Sequence, residues 1–236
     1  MKQTLLQIVQ RVLSAMEADM VNSISDTAES TAVYKIAEEV FYDLVNTTDW
    51  PHLETTGSLI SPSNSDFPNV LYIPEDVKYI KSLWYKDKIL KYKEPEDFIQ
   101  FVNERAVDTS VRIETPNGLV LSIDVNKEPE FFTIFDGVQV VTDSYNSAKE
   151  AVLVSSLSLF TGNKSPVFYT TDEFIPDLPT NVFPTYLAMV KRAAFLYLRR
   201  EASPHDERVV VSGLGRIMRD KYKLYRKETK VSYGRK

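Results

Sequence analysis

Apolar positions recur along this chain with two different periods, and the change of period divides it. Leu5, Ile8, Val9, Val12, Leu13 and Met16 fall at three- and four-residue spacing, which predicts a helix within residues 4–20. Val33, Ile36, Ala37, Val40, Phe41, Leu44 and Val45 repeat the pattern in a second helix. Its start is expected near Asp26, because Glu29 stands three residues on, as in a capping box. Its end is expected at NTTDWP, where Pro51 biases Trp50 away from helical dihedrals. The two helices read as an antiparallel hairpin.

The broadest apolar helix lies towards the other end, in Pro176–Arg200. Pro184 suits a first helical position, where its missing N–H costs nothing. At about 100° per residue, Tyr186, Leu187, Met189, Val190, Ala193, Ala194, Leu196, Tyr197 and Leu198 fill more than half the circumference. Lys191, Arg192 and Arg199 crowd the remainder. So wide a face calls for two neighbours, the second being either the rest of a bundle or another subunit. A last helical region is expected after Ser203-Pro204, an N-cap followed by proline. It is weakened by Val209–Val211 and by Gly213 and Gly215, each glycine costing about 1 kcal/mol in a helix interior. RIMRDKYKLYRKE then resumes helical character, with Ile217, Met218, Tyr222 and Tyr225 apolar.

Between these regions the period drops towards two. LYIP, VKYIKSLWY and ILKYK are β-branched and aromatic, and EPEDFIQFVNERA reads as one short helix with Pro95 in its first turn. Two hairpins follow, SVRIET–PNG–LVLSIDV and EFFTIF–DG–VQVVT. Asp136-Gly137 suits a type I′ turn because both residues tolerate positive φ. AVLVSSLSLF is expected to be a further strand and VFYTTDEF another. The expected fold class is therefore α+β: a helical bundle built from the N- and C-terminal helices, with an inserted antiparallel β-sandwich or barrel domain. The expected parts are 1–51 (first part of the bundle), 52–179 (β-rich insertion) and 180–236 (second part, with a basic tail).

Composition narrows the chemistry. There is no cysteine among the 236 residues, which excludes disulfides, thiolate catalysis and cysteine-ligated metals. The two histidines are His52, beside Trp50 and Pro51, and His205, in an expected first helical turn; they cannot assemble the common zinc patterns. Gly213-Leu214-Gly215 lacks the third glycine and the preceding strand of a dinucleotide fingerprint. Glu38-Glu39 and Glu94, Glu96 and Asp97 are most simply exposed faces. No enzyme, cofactor or metal is expected. The Met1 segment is broken by Gln7, Gln10 and Arg11 and lacks the apolar run of a signal peptide, and no stretch approaches the ~18 apolar residues of a membrane span. A cytosol-like compartment, without a membrane partner, is expected.

Charge adds one positive feature. The net charge is −5, yet residues 216–236 carry nine Lys/Arg against Asp220 and Glu228, a balance of +7 that leaves −12 on the remainder. An acidic body with a basic tail suggests a tail that seeks an acidic partner, the alternative being a solvated terminus. Arg216, Arg219, Tyr222, Lys223, Tyr225, Arg226, Lys227 and Lys230 are the candidate partner-binding residues. Interleaved tyrosines could also stack on bases, though an acidic body repels DNA at long range.

In the order of its parts the chain resembles the head-to-tail connector (adaptor) proteins of short-tailed bacteriophages, the tail tubular protein A-like group. The residues that carry the likeness are DWPHLE (Asp49–Glu54) closing the helix pair, EFFTIFDGVQVVTDSYNS (Glu130–Ser147), and DEFIPDLPTNVFPTYLAMVKRAAFLYL (Asp172–Leu198) leading into the basic last helix. Where many members have a glycine-containing turn after the first helix, this chain has MVNSISD. The resemblance implies a virion structural protein assembled in the host cytoplasm. It implies a dodecameric ring that joins portal to tail nozzle, with DNA passing through the channel and the last helix and tail reaching the portal. The alternatives are another tail-completion or nozzle component, or a DNA-binding accessory protein using the basic tail.

Overall fold

The computed structural model describes residues 2–47, 49–62, 66–105, 109–150, 152–199 and 204–228, with the backbone alone for 199 and 220–228. It is mixed α and β, with helices α1 (Leu5–Ala15), α2 (Ala28–Asn46), α3 (Pro95–Glu104), α4 (Phe183–Ala194) and α5 (Pro204–Glu228). The chain divides into two units, Met1–Asp49 with Pro166–Lys236, and Trp50–Ser165. The first gathers helices from both ends of the sequence. The second is continuous and holds α3 and all nine described strands.

In the helical unit, the apolar sets expected for α1 and α2 are all buried. Thr4 and Gln7 cap α1 reciprocally, at 3.3 and 3.1 Å. The helix ends in a Schellman turn: Ala18 N–H donates to Leu13 O (3.0 Å) and Glu17 N–H to Ser14 O (3.2 Å), with Glu17 at φ 57°. The cap of α2 is not Asp26 with Glu29 but Thr27 with Ser30. Asp26 is occupied elsewhere, its Oδ2 accepting from the Asn22 and Ser23 N–H groups at 2.7 and 2.8 Å.

The return crossing differs from expectation. VFYTTDEF forms no strand, and residues 166–179 belong to the helical unit, not to the β-rich insertion. The reason is visible in what the segment supplies. Leu5 N–H donates to Phe174 O (2.7 Å) and Leu6 N–H to Asp172 O (3.2 Å), satisfying two of the donors that the start of α1 leaves unpaired. Phe168 packs at a tilt against Phe41 (5.4 Å between centroids) and edge-on against Phe174 (4.7 Å). From Phe183 onward α4 fills the centre of the unit. Tyr186 is fully buried, its hydroxyl donates to Ala37 O at 2.9 Å, and its ring meets Phe41 and Phe183 edge-on. Burial pushes the Tyr186 phenol pKa upward.

Helix α4 does not run on as one α-helix; a π-helical turn, Phe195–Arg199, ends it. Helix α5 packs back along α4 through Val210, Gly213 and Ile217. Gly213, unfavourable by propensity, is what allows the approach: a Cβ there would lie 2.2 Å from Thr185 Oγ1 and 2.9 Å from Thr185 Cβ. Gly215 has open space around it.

The second unit is built on strands β1 (Glu54–Gly57), β2 (Val70–Tyr72), β3 (Val77–Tyr85), β4 (Lys88–Tyr92), β5 (Ser110–Glu114), β6 (Val120–Asp124), β7 (Phe131–Phe135), β8 (Gln139–Thr142) and β9 (Ser158–Lys164). Seven of them form one curled sheet in the order β1-β9-β3-β4-β7-β8-β2; β5 and β6 form a separate hairpin. The curl brings the edges together, for Ile60, just past β1, exchanges both backbone hydrogen bonds with Tyr72 of β2 at 2.8 and 2.7 Å. The first and last strands of the unit are neighbours, with Glu54 opposite Asn163.

The sheet is not wholly antiparallel. β4 and β7 run parallel, because α3 and the β5–β6 hairpin intervene and carry the chain back to the starting end before β7 begins. Alternation then sorts side chains between two cores. Leu71, Leu83, Leu90, Phe132, Val140 and Phe160 fill the inside of the curl. Val70 and Val141, from the opposite face of β2 and β8, pack with Phe98 and Val102 of α3 and with Ile113, Leu121 and Ile123 of the hairpin. The Asp136-Gly137 turn has φ 51° and 70° at its two central residues, as a type I′ turn requires. In AVLVSSLSLF, residues 155–157 are a 3₁₀ turn and only the end enters β9.

One buried charge ties this second layer down. Asp143, with no exposed side-chain surface, accepts from the Glu130 and Phe131 N–H groups (2.9 Å each) and from Arg105 Nη1 (2.7 Å). Arg105 Nη2 also donates to Asp143 O (3.0 Å), and its guanidinium lies 5.0 Å from the Phe101 ring. The α3 C-terminus is thus fastened to the start of β7 and the end of β8.

Two stability outcomes follow from this packing. Both tryptophans, Trp50 and Trp84, lie in the second unit, so their fluorescence in a denaturant titration reports that unit alone. Arg105→Ala should lower its stability by about 3 kcal/mol, the cost of leaving a buried carboxylate without its cation; a shift below ~1 kcal/mol would show the ion pair to be dispensable. In the helical unit, Gly213→Ala should lower the melting point by circular dichroism, since overpacking of roughly 1–3 kcal/mol exceeds the gain in propensity. Gly215→Ala should raise it, by up to ~1 kcal/mol.

Candidate partner-binding surface

The candidate residues fall on α5, whose charge is ordered along its length. Asp206 and Glu207 stand in the first turn, where the helix dipole favours acids, and basic residues accumulate towards the end, where it favours cations. The dipole accounts for the last turn only. Arg216 and Arg219 lie well before that turn, both exposed, and Arg219 Nε donates within the helix to Gly215 O at 3.1 Å. Neither makes an ion pair among the described residues.

Tyr222, Lys223, Tyr225, Arg226 and Lys227 continue on the same helix, which reaches Glu228. Their side chains, and Lys230, lie outside the described residues. With Val210, Gly213 and Ile217 buried towards α4, Arg208, Val211, Ser212, Gly215, Arg216, Met218 and Arg219 are exposed among the described residues of α5. Val211 and Met218, seven residues apart, share one stripe with Glu207, and Arg208 and Arg219 stand together along one side of it. What this surface can do is dock: apolar contact beside guanidinium groups free to pair with carboxylates.

No other candidate competes as a chemical centre. His52 and His205 are exposed; His52 sits in a 3₁₀ turn, its ring edge-on to Trp50 at 5.9 Å. Among the described residues no group of His, Asp and Glu could hold a metal ion, and no helix is long and apolar enough to cross a membrane.

A network that the sequence did not announce lies in the second unit. Lys86, in the β3–β4 turn, bridges Glu150 (2.9 Å) and Glu128 (3.3 Å), and Glu128 also pairs with Lys149 (3.0 Å) and Lys88 (3.4 Å). The Tyr85 hydroxyl donates to Glu150 and accepts from Val154 N–H at 3.2 Å. Hydrogen bonds from Lys149 and Lys86 hold the Glu128 carboxyl well below the usual range, at about 2. Lys86 is raised, chiefly by its bond to Glu150, and Tyr85 is raised by burial and then by Glu150. The cluster clamps the β3–β4 turn to the loops around residues 128 and 150. Spacing across more than sixty residues hides it from pattern reading.

A carboxylate with a depressed pKa stabilises the fold above its unfolded value and stops doing so as pH falls through the folded one. Glu128 should therefore contribute fully above pH 4.5 and lose its contribution towards pH 2. Glu128→Gln should flatten that part of the acid-unfolding curve followed by tryptophan fluorescence; an unchanged curve would show that the cluster carries no linkage.

No protein-family model matches this chain, and the search of curated proteins returned no relative.

Proposed function

We propose that this chain is a virion structural protein, a head-to-tail adaptor of a short-tailed bacteriophage. In this reading copies form a ring between portal and tail and line the DNA channel. The observation that carries it is the organisation of the chain. Helices from both ends meet in one unit, a continuous β unit is inserted between them, and the last described helix carries exposed Arg216 and Arg219, neither in an ion pair among the described residues. This is the order of parts on which the sequence resemblance rests.

The four helices of the first unit are then the bundle that repeats around a dodecameric ring. The curled sheet and its β5–β6 layer are the inserted sandwich-like module. The basic end of α5, with residues beyond it, is the arm that meets the portal, and the tail nozzle protein is the partner on the other side. DNA contact is non-specific and electrostatic, and the protein acts by docking, without turnover. Each exposed ion pair is worth only ~0.2–1 kcal/mol, but several desolvated together at one interface add up.

The test is a chain lacking residues 216–236, supplied during infection in place of the whole one. The β unit and the first helices should stay folded, while DNA-filled heads carry no adaptor and no tail. Particles that hold the shortened chain at normal occupancy would overturn the portal-docking role.

A further inference from the structure

The helical unit exposes two surfaces that complement each other. One is the open side of α5, where Val211 (73% exposed) and Met218 (47%) stand in one stripe with Arg208 a turn before Val211. The other is the segment 166–180. Phe168 packs edge-on against Phe174 and at a tilt against Phe41, while Val167 (54%), Tyr169 (59%) and Ile175 (47%) are exposed. Its charges are Asp172, Glu173 and Asp177, with no lysine or arginine, and Asp177 is paired with Lys2 at 3.6 Å.

Beside this segment lies an open hollow of about 340 Å³, lined by Ser23, Ser25, Tyr34, Thr170, Thr171 and Asp172. Asp172 Oδ1 is engaged by Ser23 Oγ (3.2 Å) and Ile24 N–H (2.9 Å). Its Oδ2 carries no hydrogen bond among the described residues. Five hydroxyls around a carboxylate with one oxygen to offer make a receptor for a guanidinium or ammonium group.

We propose that these surfaces bind each other between copies of the chain. The Val211–Met218 stripe of one copy lies on Val167, Tyr169 and Ile175 of the next, and Arg208 reaches into the hollow against Asp172. A second copy is the occupant because the two surfaces match, apolar against apolar, with Arg208 opposite Asp172 and Glu173. Glu207, beside Val211, is paired within its own copy with Arg192 at 3.9 Å. They share no residue, so the contact is head-to-tail, and each copy keeps one surface of each kind for the next neighbour. The inference deepens the adaptor reading and rests on it for the closure of the chain of contacts into a ring.

Sedimentation of the full chain at rising concentration, with chemical cross-linking, tests the contact. Val211→Glu spoils one surface and Val167→Glu the other; both sites are exposed, and circular dichroism checks that each variant is folded. The wild type should form species larger than dimers, and each variant alone should stay monomeric. An equimolar mixture of the two should give dimers and nothing larger, because a mixed pair retains one intact contact. Variants that assemble like the wild type would overturn the assignment of surfaces and leave the ring reading intact. A wild type that remains monomeric and uncrosslinked would overturn the contact itself, whereas portal docking is judged separately by the 216–236 deletion.

Discussion

The helical unit depends on one closure: Tyr186, from late in the chain, buried among residues of α2. Its hydroxyl satisfies the Ala37 carbonyl at 2.9 Å, and its ring packs on Phe41 and Phe183. A tyrosine can be buried at this depth only because the hydroxyl finds a partner; left unpaired it would cost ~1–3 kcal/mol. Beside it, the carbonyls of Asp172 and Phe174 complete the start of α1. Neither α1–α2 nor α4–α5 has a full core without the other pair, so the two ends of the sequence hold one another in place.

The second unit solves a different problem. A sheet this curled buries its concave face with side chains of its own, but its convex face also needs cover where Val70 and Val141 point outward. Helix α3 and the β5–β6 hairpin supply it, and the price of that excursion is the parallel β4–β7 pair. Asp143 then holds the excursion down with four hydrogen-bonded contacts, two of them to backbone at the start of β7. Fully satisfied, a buried carboxylate specifies one arrangement of the layer against the sheet.

The sequence made periodic features legible and contact-dependent ones invisible. The buried faces of α1 and α2 were readable position by position, because a 3.6-residue stripe has one interpretation when both flanks are polar. Asp136-Gly137 was readable because few residue pairs accept positive φ twice. Val167–Phe174 reads as a strand but forms none: Phe168 and Phe174 turn inward beside exposed neighbours, without a partner strand. The pairing of Arg105 with Asp143, 38 residues apart, leaves no local signal at all. At the candidate surface, sequence located the basic helix and its arginines. It could not show that Gly213 seats the helix on Thr185, nor that the segment 166–180 presents an acidic, apolar face.

The neighbouring position of β1 and β9 bears on how the chain reaches its folded state. The inserted unit is continuous in sequence and can form before the rest, and once Glu54 stands opposite Asn163 its two ends are held side by side. For the helices, the long connection between α2 and α4 then behaves like one of roughly thirty residues. Loop-closure entropy grows as (3/2)RT ln n, so the preformed sheet lowers the entropic barrier to joining α2 and α4 by about 1.4 kcal/mol. The β unit is in this sense a clasp for the chain, and folding of the helical unit is expected to follow it in time.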